Sequence, residues 1–455
     1  MGDIKGIVEA QRKYFAERKT LDTGFRKKQL RAFRQAVKDF EKDLLTAMKQ
    51  DLGRCAFESW AGELGPVTSE IEHAIKHLDS WSKPARVPTP LLLWPGASQI
   101  RQFPHGVSLI IGPWNYPFHL LAIPLASALA AGNCSVLKPS GLSPATSRVI
   151  AKLVSQAFDP GLVAVVESGP EVSQTLLKER WDFIMFTGGL ATGRKVLEAA
   201  APNLTPVLLE LGGKCPVIVA GDADIETAGR RIAWGKSFNA GQTCVAPDYV
   251  LVNRRVKTGL VDAIRKSIKN FYGENPATSP DYARIVNSRH FSRLNGLLKE
   301  GQILAGGRTD EKTLYIEPTI IGNASPESPL MTDEIFGPIL PLLEYESLDE
   351  ALAIIASLPA PLAIYLFSQS RKTAEIVIRA TSSGSVAVND TIAQVASPHL
   401  PFGGTGTSGF GRYHGRAGFD AFSVRRSVLK RSLHPDFKFR YPPYKFPLSL
   451  LKKLF

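Results

Sequence analysis

The feature that most constrains this chain is an alternation that begins at residue 107. Short apolar runs at 107–111, 135–137, 163–166, 183–186, 207–209 and 217–219 are separated by stretches with helical patterning. These runs do not alternate polar with apolar residues, so each must be covered on both faces. A second series follows at 249–252, 318–321, 364–367 and 385–388. Buried strands that alternate with helices predict parallel sheets with helices on both sides. The expected fold class is therefore α/β, in two parallel-sheet lobes that meet near Gly212 and Gly213, with the chemistry in the cleft between them. At 455 residues the chain is too long for one ordinary core, which agrees with several domains.

Ahead of the alternation, residues 25–48 place Phe25, Phe33, Val37, Phe40, Leu44 and Met48 at helical spacing, and this predicts one helix. Val67, Ile71, Ile75 and Leu78 predict another over about 66–81. Four prolines between 84 and 95 mark a connector that leads into an extended arm at 98–103. The apolar stretch 120–132 contains Pro124 and is too short to span a bilayer, so it reads as a buried helix.

Several function classes are excluded early. The N-terminal sequence has neither the charged and apolar regions of a secretory signal nor the Ser/Thr that myristoylation requires. Cys55, Cys134, Cys215 and Cys244 are irregularly spaced, which supports neither disulfides nor a metal site and fits a reducing, cytoplasmic setting. The net charge of +13 does not signal nucleic acid, because residues 425–455 hold nine Lys/Arg against Asp436 alone and so carry +8 of it. In that basic tail Phe446, Leu450, Leu454 and Phe455 fall near one helical face beside Lys452 and Lys453, a pattern suited to peripheral contact with a membrane surface.

Four short segments carry chemistry. The run FTGGLATGR at 186–194 stands where a strand passes into a helix, a turn whose free N–H groups suit phosphate. It lacks the Lys-Ser/Thr of a P-loop and the spacing of a Rossmann fingerprint. A formal GxGxxG at 404–409 has no helical pattern behind it and reads as a glycine loop only. Cys244, in NAGQTCVAP, follows small residues and precedes a proline-led strand, a setting for a nucleophile at a cleft wall as well as for an inert packed thiol. Glu210 ends the apolar run PVLLEL, where burial would raise its proton affinity toward that of a useful base; a structural ion pair with Lys214 is the alternative. Asn115, in GPWNYP, is placed to donate to an oxyanion or simply to cap a turn.

Together these segments resemble the aldehyde dehydrogenase superfamily. GQTCVAPDYVL, LLELGGK and PWNYP look like its class 3 branch, the fatty and aromatic aldehyde dehydrogenases, and the similarity runs in matching order from about residue 20 to 430. The resemblance implies that Cys244 attacks an aldehyde carbonyl, that Asn115 and the Cys244 N–H stabilise the oxyanion, and that Glu210 activates the water that hydrolyses a thioester. It implies NADP or NAD as cofactor, held by Trp114, Lys138, Ser140, Gly141, Gly188, Gly189, Gly193, Glu334 and Phe336, with no metal. It implies a homodimer and an aldehyde substrate of medium or long chain, aromatic or isoprenoid. It divides the chain into a cofactor domain (1–82 and 104–212), a catalytic domain (213–412), a bridging arm (83–103 and 413–430) and the tail (431–455).

Two departures from the class 3 pattern concern the cofactor. Gly141 stands after Lys-Pro-Ser where Glu is usual, and the glycine turn has Gly189 and Thr192 where Ser and Val are common. Two rival readings remain at this stage. One is a CoA-acylating dehydrogenase, which resembles the superfamily but typically lacks the glutamate found here at 210. The other is a scaffold protein without activity, which would have no reason to keep Cys244, Glu210, Asn115, Lys138 and Glu334 together.

Overall fold

The structure is a computed structural model that describes residues 3–167 and 169–452. Among the described residues, two sheets organise the chain. The first has six strands in the order Gly409–Phe410, Val207–Leu211, Phe183–Gly188, Val107–Ile111, Cys134–Lys138 and Val163–Val165. All pair in parallel except Gly409–Phe410, which runs antiparallel along Val207–Leu211. The second has seven strands: Gln302–Ala305, Thr319–Gly322, Ile339–Tyr345, Tyr249–Asn253, Pro216–Val219, Ala363–Phe367 and Ser385–Val388. Only Gln302–Ala305 breaks its parallel pairing. The α/β class with two parallel-sheet lobes is what the non-alternating runs demanded, since their strands are buried on both faces apart from the edge strands Val163–Val165 and Ser385–Val388, which are partly exposed.

The helix His119–Ala131 is buried along all its 13 residues and packs between the first sheet and the helices Thr23–Asp39 and Gly65–Ser82. Its apolar side chains each contribute about 1.5–3 kcal/mol when fully covered. Pro124 is tolerated because an element held by tertiary packing on every side does not depend on one backbone bond.

Three sequence expectations are corrected. The helix predicted over 25–48 is two helices, Thr23–Asp39 and Glu41–Leu52, because Phe40 leaves helical geometry (φ −97°, ψ 7°) while keeping its ring in the core. Strand Ile339–Tyr345 is absent from the series expected from sequence, and it carries Pro341 in its interior, which is unusual for a central strand. The missing N–H is harmless there: Pro341 pairs only with Ile321, and the neighbour on the other side joins from Leu342 onward. The tail is not an amphipathic helix. Its helical pieces are Lys438–Arg440 and Leu448–Leu451, and Phe446 precedes the second of these. Pro442, Pro443 and Pro447 interrupt any longer helix. Lys453, Leu454 and Phe455 lie outside the described residues.

The arm is a three-stranded antiparallel sheet of Ala85–Val87, Gly96–Pro104 and Ser423–Arg431. The helix Gly415–Ala421, just before its last strand, packs on Gly65–Ser82 and His119–Ala131 and is tied to the arm by the bond from Gln102 Nε2 to Asp420 Oδ1 at 2.9 Å.

Candidate active site

Glu210 is the fourth residue of Val207–Leu211, registered between Thr187 on one side and Gly409 on the other. Its side chain is fully buried and neither carboxylate oxygen has a hydrogen-bond partner. The ion pair with Lys214 considered as its alternative role does not form, because Lys214 Nζ sits 2.5 Å from Asp248 Oδ2 and donates to the carbonyls of Leu330 and Asp333. Burial, reinforced by the Glu334 carboxylate and only partly offset by Arg412, raises the proton affinity of Glu210 well above the ordinary range.

Cys244 follows a turn with unusual backbone. Asn239 and Ala240 are both left-handed (φ 52° and 50°), and Gly241 continues with φ 73°. Each of the first two costs about 1–2 kcal/mol, while a Cβ at Gly241 would collide with the Gly337 and Lys236 carbonyls. The turn is held by its neighbours. Gln242 Nε2 donates to the carbonyls of Asn239 and Arg284, and its Oε1 accepts from Val286 N–H at 3.0 Å. Asn115 Nδ2 donates to the Gln242 carbonyl at 3.0 Å, and its own carbonyl accepts from Asn239 Nδ2 at 3.0 Å. Tyr116 Oη and Thr243 Oγ1 are 2.7 Å apart. The segments that carry Asn115 and Cys244 are thus stitched into one unit. The second N–H of the Asn115 amide has no protein acceptor among the described residues.

The thiol of Cys244 stands where two cavities meet. One, of about 750 Å³, is lined by Trp114, Asn115, Gly188, Gly189, Glu210, Glu334 and Phe336 as well as by Cys244 itself. The other, also about 750 Å³, lies on the far side and is walled by Tyr116, His119, Trp234, Phe238, Ile392 and Phe402. Burial, then the carboxylates of Glu210 and Glu334, push the Cys244 thiol well up from its usual value. Burial and Asp248 likewise push Glu334 up to about 8. The site therefore holds protons firmly and favours neutral groups until a substrate or a base changes the balance.

Eight of the twelve residues singled out from sequence share the first cavity: Cys244, Glu210, Asn115, Trp114, Gly188, Gly189, Glu334 and Phe336. The other four sit elsewhere. Lys138 ends the neighbouring strand, Ser140 and Gly141 form the exposed turn after it, and Gly193 is buried against Leu211. Sequence reasoning missed Thr187, His290 and Arg293 in this cavity and the whole wall of the second. Thr187 adjoins the glycine turn and could have been found from it. His119, Trp234, Phe238 and Phe402 come from distant segments and carry no local signal.

Residues 2–428 match the aldehyde dehydrogenase family. The chain belongs to this family. It is 46% identical over 444 residues to the 4,4'-diaponeurosporen-aldehyde dehydrogenase of Staphylococcus aureus, covering 97% of each chain. To the dimeric NADP-preferring aldehyde dehydrogenase of Rattus norvegicus it is 43% identical over 445 residues, 97% of this chain and 98% of that one. Its fold matches Staphylococcus aureus AldH in a substrate-bound state with a TM-score of 0.97 at 45% identity, covering 100% and 99% of the two chains. An indole-3-acetaldehyde dehydrogenase in complex with NAD+ gives a TM-score of 0.87 at 26% identity, covering 94% and 89%.

An aldehyde dehydrogenase uses NAD(P), and three features of this structure fit that group. The helix Leu190–Ala200 starts at Gly189 with no side-chain cap, and a Cβ at Gly189 would meet nothing within 4 Å, so phosphate has room to approach. Thr187 Oγ1 is buried at the cleft with no partner. Lys138 Nζ is buried and bonded only to the Pro139 carbonyl at 2.9 Å, with its proton affinity lowered by burial. A cation without an acid beside it is what a ribose or phosphate site requires.

Proposed function

We propose that this aldehyde dehydrogenase oxidises apolar aldehydes to carboxylic acids, with Cys244 as nucleophile, Asn115 as oxyanion donor and Glu210 as the base for hydrolysis. The observation that carries the reading is the position of Cys244 at the junction of the cleft that holds Asn115, Glu210 and Glu334 and an apolar tunnel. A carbonyl carbon at that junction is reached by the sulfur from one side, while its chain occupies the tunnel. Attack by the thiolate, its proton having been given up to solvent, forms a C–S bond and puts negative charge on the carbonyl oxygen. Asn115 Nδ2 and the Cys244 N–H, which lies against its own sulfur, are the donors for that charge. One such preorganised donor is worth roughly 10²–10³ in rate.

Lys138, Ser140 and Gly141 would hold the adenosine end of NAD(P), the uncapped helix start behind Gly188 and Gly189 its phosphates, and Trp114, Glu334 and Phe336 its nicotinamide end. When bound, the oxidised nicotinamide supplies the two-electron acceptor that turns the thiohemiacetal into a thioester. Glu210 then takes a proton from water as the oxygen attacks the thioester carbonyl, and the thiol of Cys244 leaves with a proton. Splitting the oxidation at sulfur replaces one difficult step with two easier ones. The same glutamate favours hydrolysis over acyl transfer to CoA.

The tunnel favours the substrate class. Its walls are aromatic and aliphatic, and its one imidazole, His119, is kept neutral by burial, which lowers it to about 4. Charged aldehydes would lose their hydration there without a partner. Long-chain, aromatic and isoprenoid aldehydes fit, in keeping with the polyene aldehyde in the name of the Staphylococcus relative. We further propose NADP as an accepted cofactor and a homodimer, since the name of the rat relative calls that protein dimeric and NADP-preferring; the arm would carry the dimer contact. The basic tail and arm would give peripheral contact with a membrane from a cytoplasmic setting; among the described residues no helix is long and apolar enough to cross one.

A panel of short, long, aromatic, isoprenoid and charged aldehydes, run with NAD and with NADP, tests the reading. The expected order places long apolar aldehydes first by kcat/KM and charged ones last, with free acid as product even when CoA is present. Acyl-CoA as the product, or preference for a charged aldehyde, overturns it.

A further inference from the structure

The short helical segment around residues 54–63 contains three buried ionisable groups that the mechanism above does not use. Arg54 and Glu63 are fully buried and paired with each other. Glu63 Oε2 accepts the N–H groups of Phe118 and His119 at 2.8 and 3.0 Å, while Arg54 Nη1 donates to the Asn115 carbonyl at 3.3 Å. This pair braces the segment that carries the oxyanion donor. The third group, Glu58, reaches the other segment. Its buried Oε1 accepts the backbone N–H of Asn239, the first of the three left-handed residues that lead to Cys244.

Such a turn relaxes unless its surroundings hold it. Asn239 is its entrance, and a charged acceptor fixes that N–H more firmly than a neutral one. We propose that Glu58 is a positioning residue of the reaction, whose carboxylate holds the left-handed turn at Asn239 and so keeps the Cys244 sulfur in line with the oxyanion donors. The proposal rests on the reading of Cys244 as the nucleophile.

The groups around Glu58 determine when it carries charge. Arg54 is the cation facing it and Asp281 the acid; Cys55, Tyr116, Tyr272 and Tyr282 complete its ionisable neighbours. Burial outweighs Arg54 and pushes the carboxyl up to about 7. Below that value Glu58 is protonated and accepts like an amide; above it the carboxylate is the stronger acceptor. The brace therefore tightens as pH rises through neutrality.

Glu58→Gln and Glu58→Ala separate this role from mere packing. Three quantities are measured from pH 6 to 8.5: kcat, the rate at which iodoacetamide labels Cys244, and NADPH binding by fluorescence. In Glu58→Ala both rates are expected to fall tenfold or more while NADPH still binds. Glu58→Gln, which keeps an oxygen acceptor, recovers most of that loss at pH 6. The ratio of wild type to Glu58→Gln then rises severalfold toward pH 8.5, a comparison in which the titration of Glu210 cancels. A ratio that is constant with pH, or a Gln variant no better than the Ala variant, overturns the proposal. Should Glu58→Ala fail to fold, the pH course of the wild type to Gln ratio decides alone. Cys244→Ala is run alongside: turnover surviving there overturns the nucleophile reading itself, whereas a dead Cys244→Ala beside an indifferent Glu58 overturns only this inference.

Discussion

At the scale of single residues, the chemistry turns on two groups whose protons are hard to remove. Burial raises both the Cys244 thiol and the Glu210 carboxyl, and the Glu210 carboxylate makes ionisation of the thiol less favourable still. A carboxylate in such a place is a stronger base than one in water, which suits the deprotonation of a nucleophilic water. Because its folded-state value is raised, Glu210 ionises only above the usual carboxylate range. Hydrolysis of the thioester is therefore expected to climb with pH on a limb displaced upward from about 4.3, a limb that a pH profile of steady-state turnover should show. Glu210→Gln separates the steps. An amide cannot take the water proton, so this variant should reduce about one cofactor per site in a rapid-mixing burst and then stall as the thioester. Loss of the burst would instead place Glu210 at thiol activation. Cys244→Ala is expected to abolish oxidation while leaving cofactor binding intact, checked by turnover and by fluorescence titration.

At the scale of elements, two turns decide much of the behaviour. The first follows the strand Cys134–Lys138, where exposed Gly141 takes the place of an acid. In the proposed cofactor site a carboxylate there would repel a 2′-phosphate and bond the ribose hydroxyls of NAD; glycine would do neither, and Lys138, which has no acidic partner among the described residues, would remain as the cation. A charged hydrogen bond is worth roughly 1.5–3 kcal/mol, which shifts relative affinity about tenfold or more. Gly141→Glu should accordingly move the ratio of kcat/KM for NADP to that for NAD about tenfold toward NAD; a wild type that strongly prefers NAD and is unmoved by the substitution counts against the argument. The second turn, 403–411, read from sequence as a bare glycine loop, places Gly409 (φ 116°) antiparallel to Glu210, where a Cβ would strike the Leu209 carbonyl. That contact was not legible, because it joins residues about 200 apart through a tertiary strand pairing that leaves no periodicity. The same limit explains the rest of the record. Strands buried on both faces announce themselves by composition, whereas the local settings of Cys244, Glu210 and Asn115 leave a bland reading open for each and only the resemblance to the family gives them roles. The tunnel wall and Glu58 look like ordinary core positions until the topology brings the wall beside Cys244 and Glu58 against the Asn239 N–H.

At the scale of the whole molecule, the excess positive charge is gathered at one end of the chain, where several apolar side chains are also exposed. Arg425, Arg426, Lys430 and Arg431 lie on the last strand of the arm, where Arg426 is registered directly opposite Arg101. Like charges facing across a sheet are unfavourable unless something anionic covers them. The tail that follows contributes Lys438, Arg440, Lys445 and Lys452 and contains no buried side chain among its described residues. Leu433 is 84% exposed and Tyr444 75%, and Phe439 stacks between Phe437 and Phe446 with centroids 5.6 and 4.9 Å away. Together these residues make a strongly basic surface. An anionic bilayer is complementary to it, at about 1 kcal/mol for each basic residue near the surface, and is also where apolar aldehydes collect. Because the described tail is not one long helix, attraction should come from arm and tail jointly rather than from a single amphipathic face. Sedimentation with vesicles containing anionic lipid is then expected to pellet the full chain, less of a form ending at Arg431, and least of that form with Arg425 and Arg426 changed to Ser. Raising the salt should release all three, since screening acts on the charges and not on the apolar contacts. Equal pelleting of the three forms, or binding to neutral vesicles as strong as to anionic ones, would remove the membrane from the account and leave the basic face to the dimer alone.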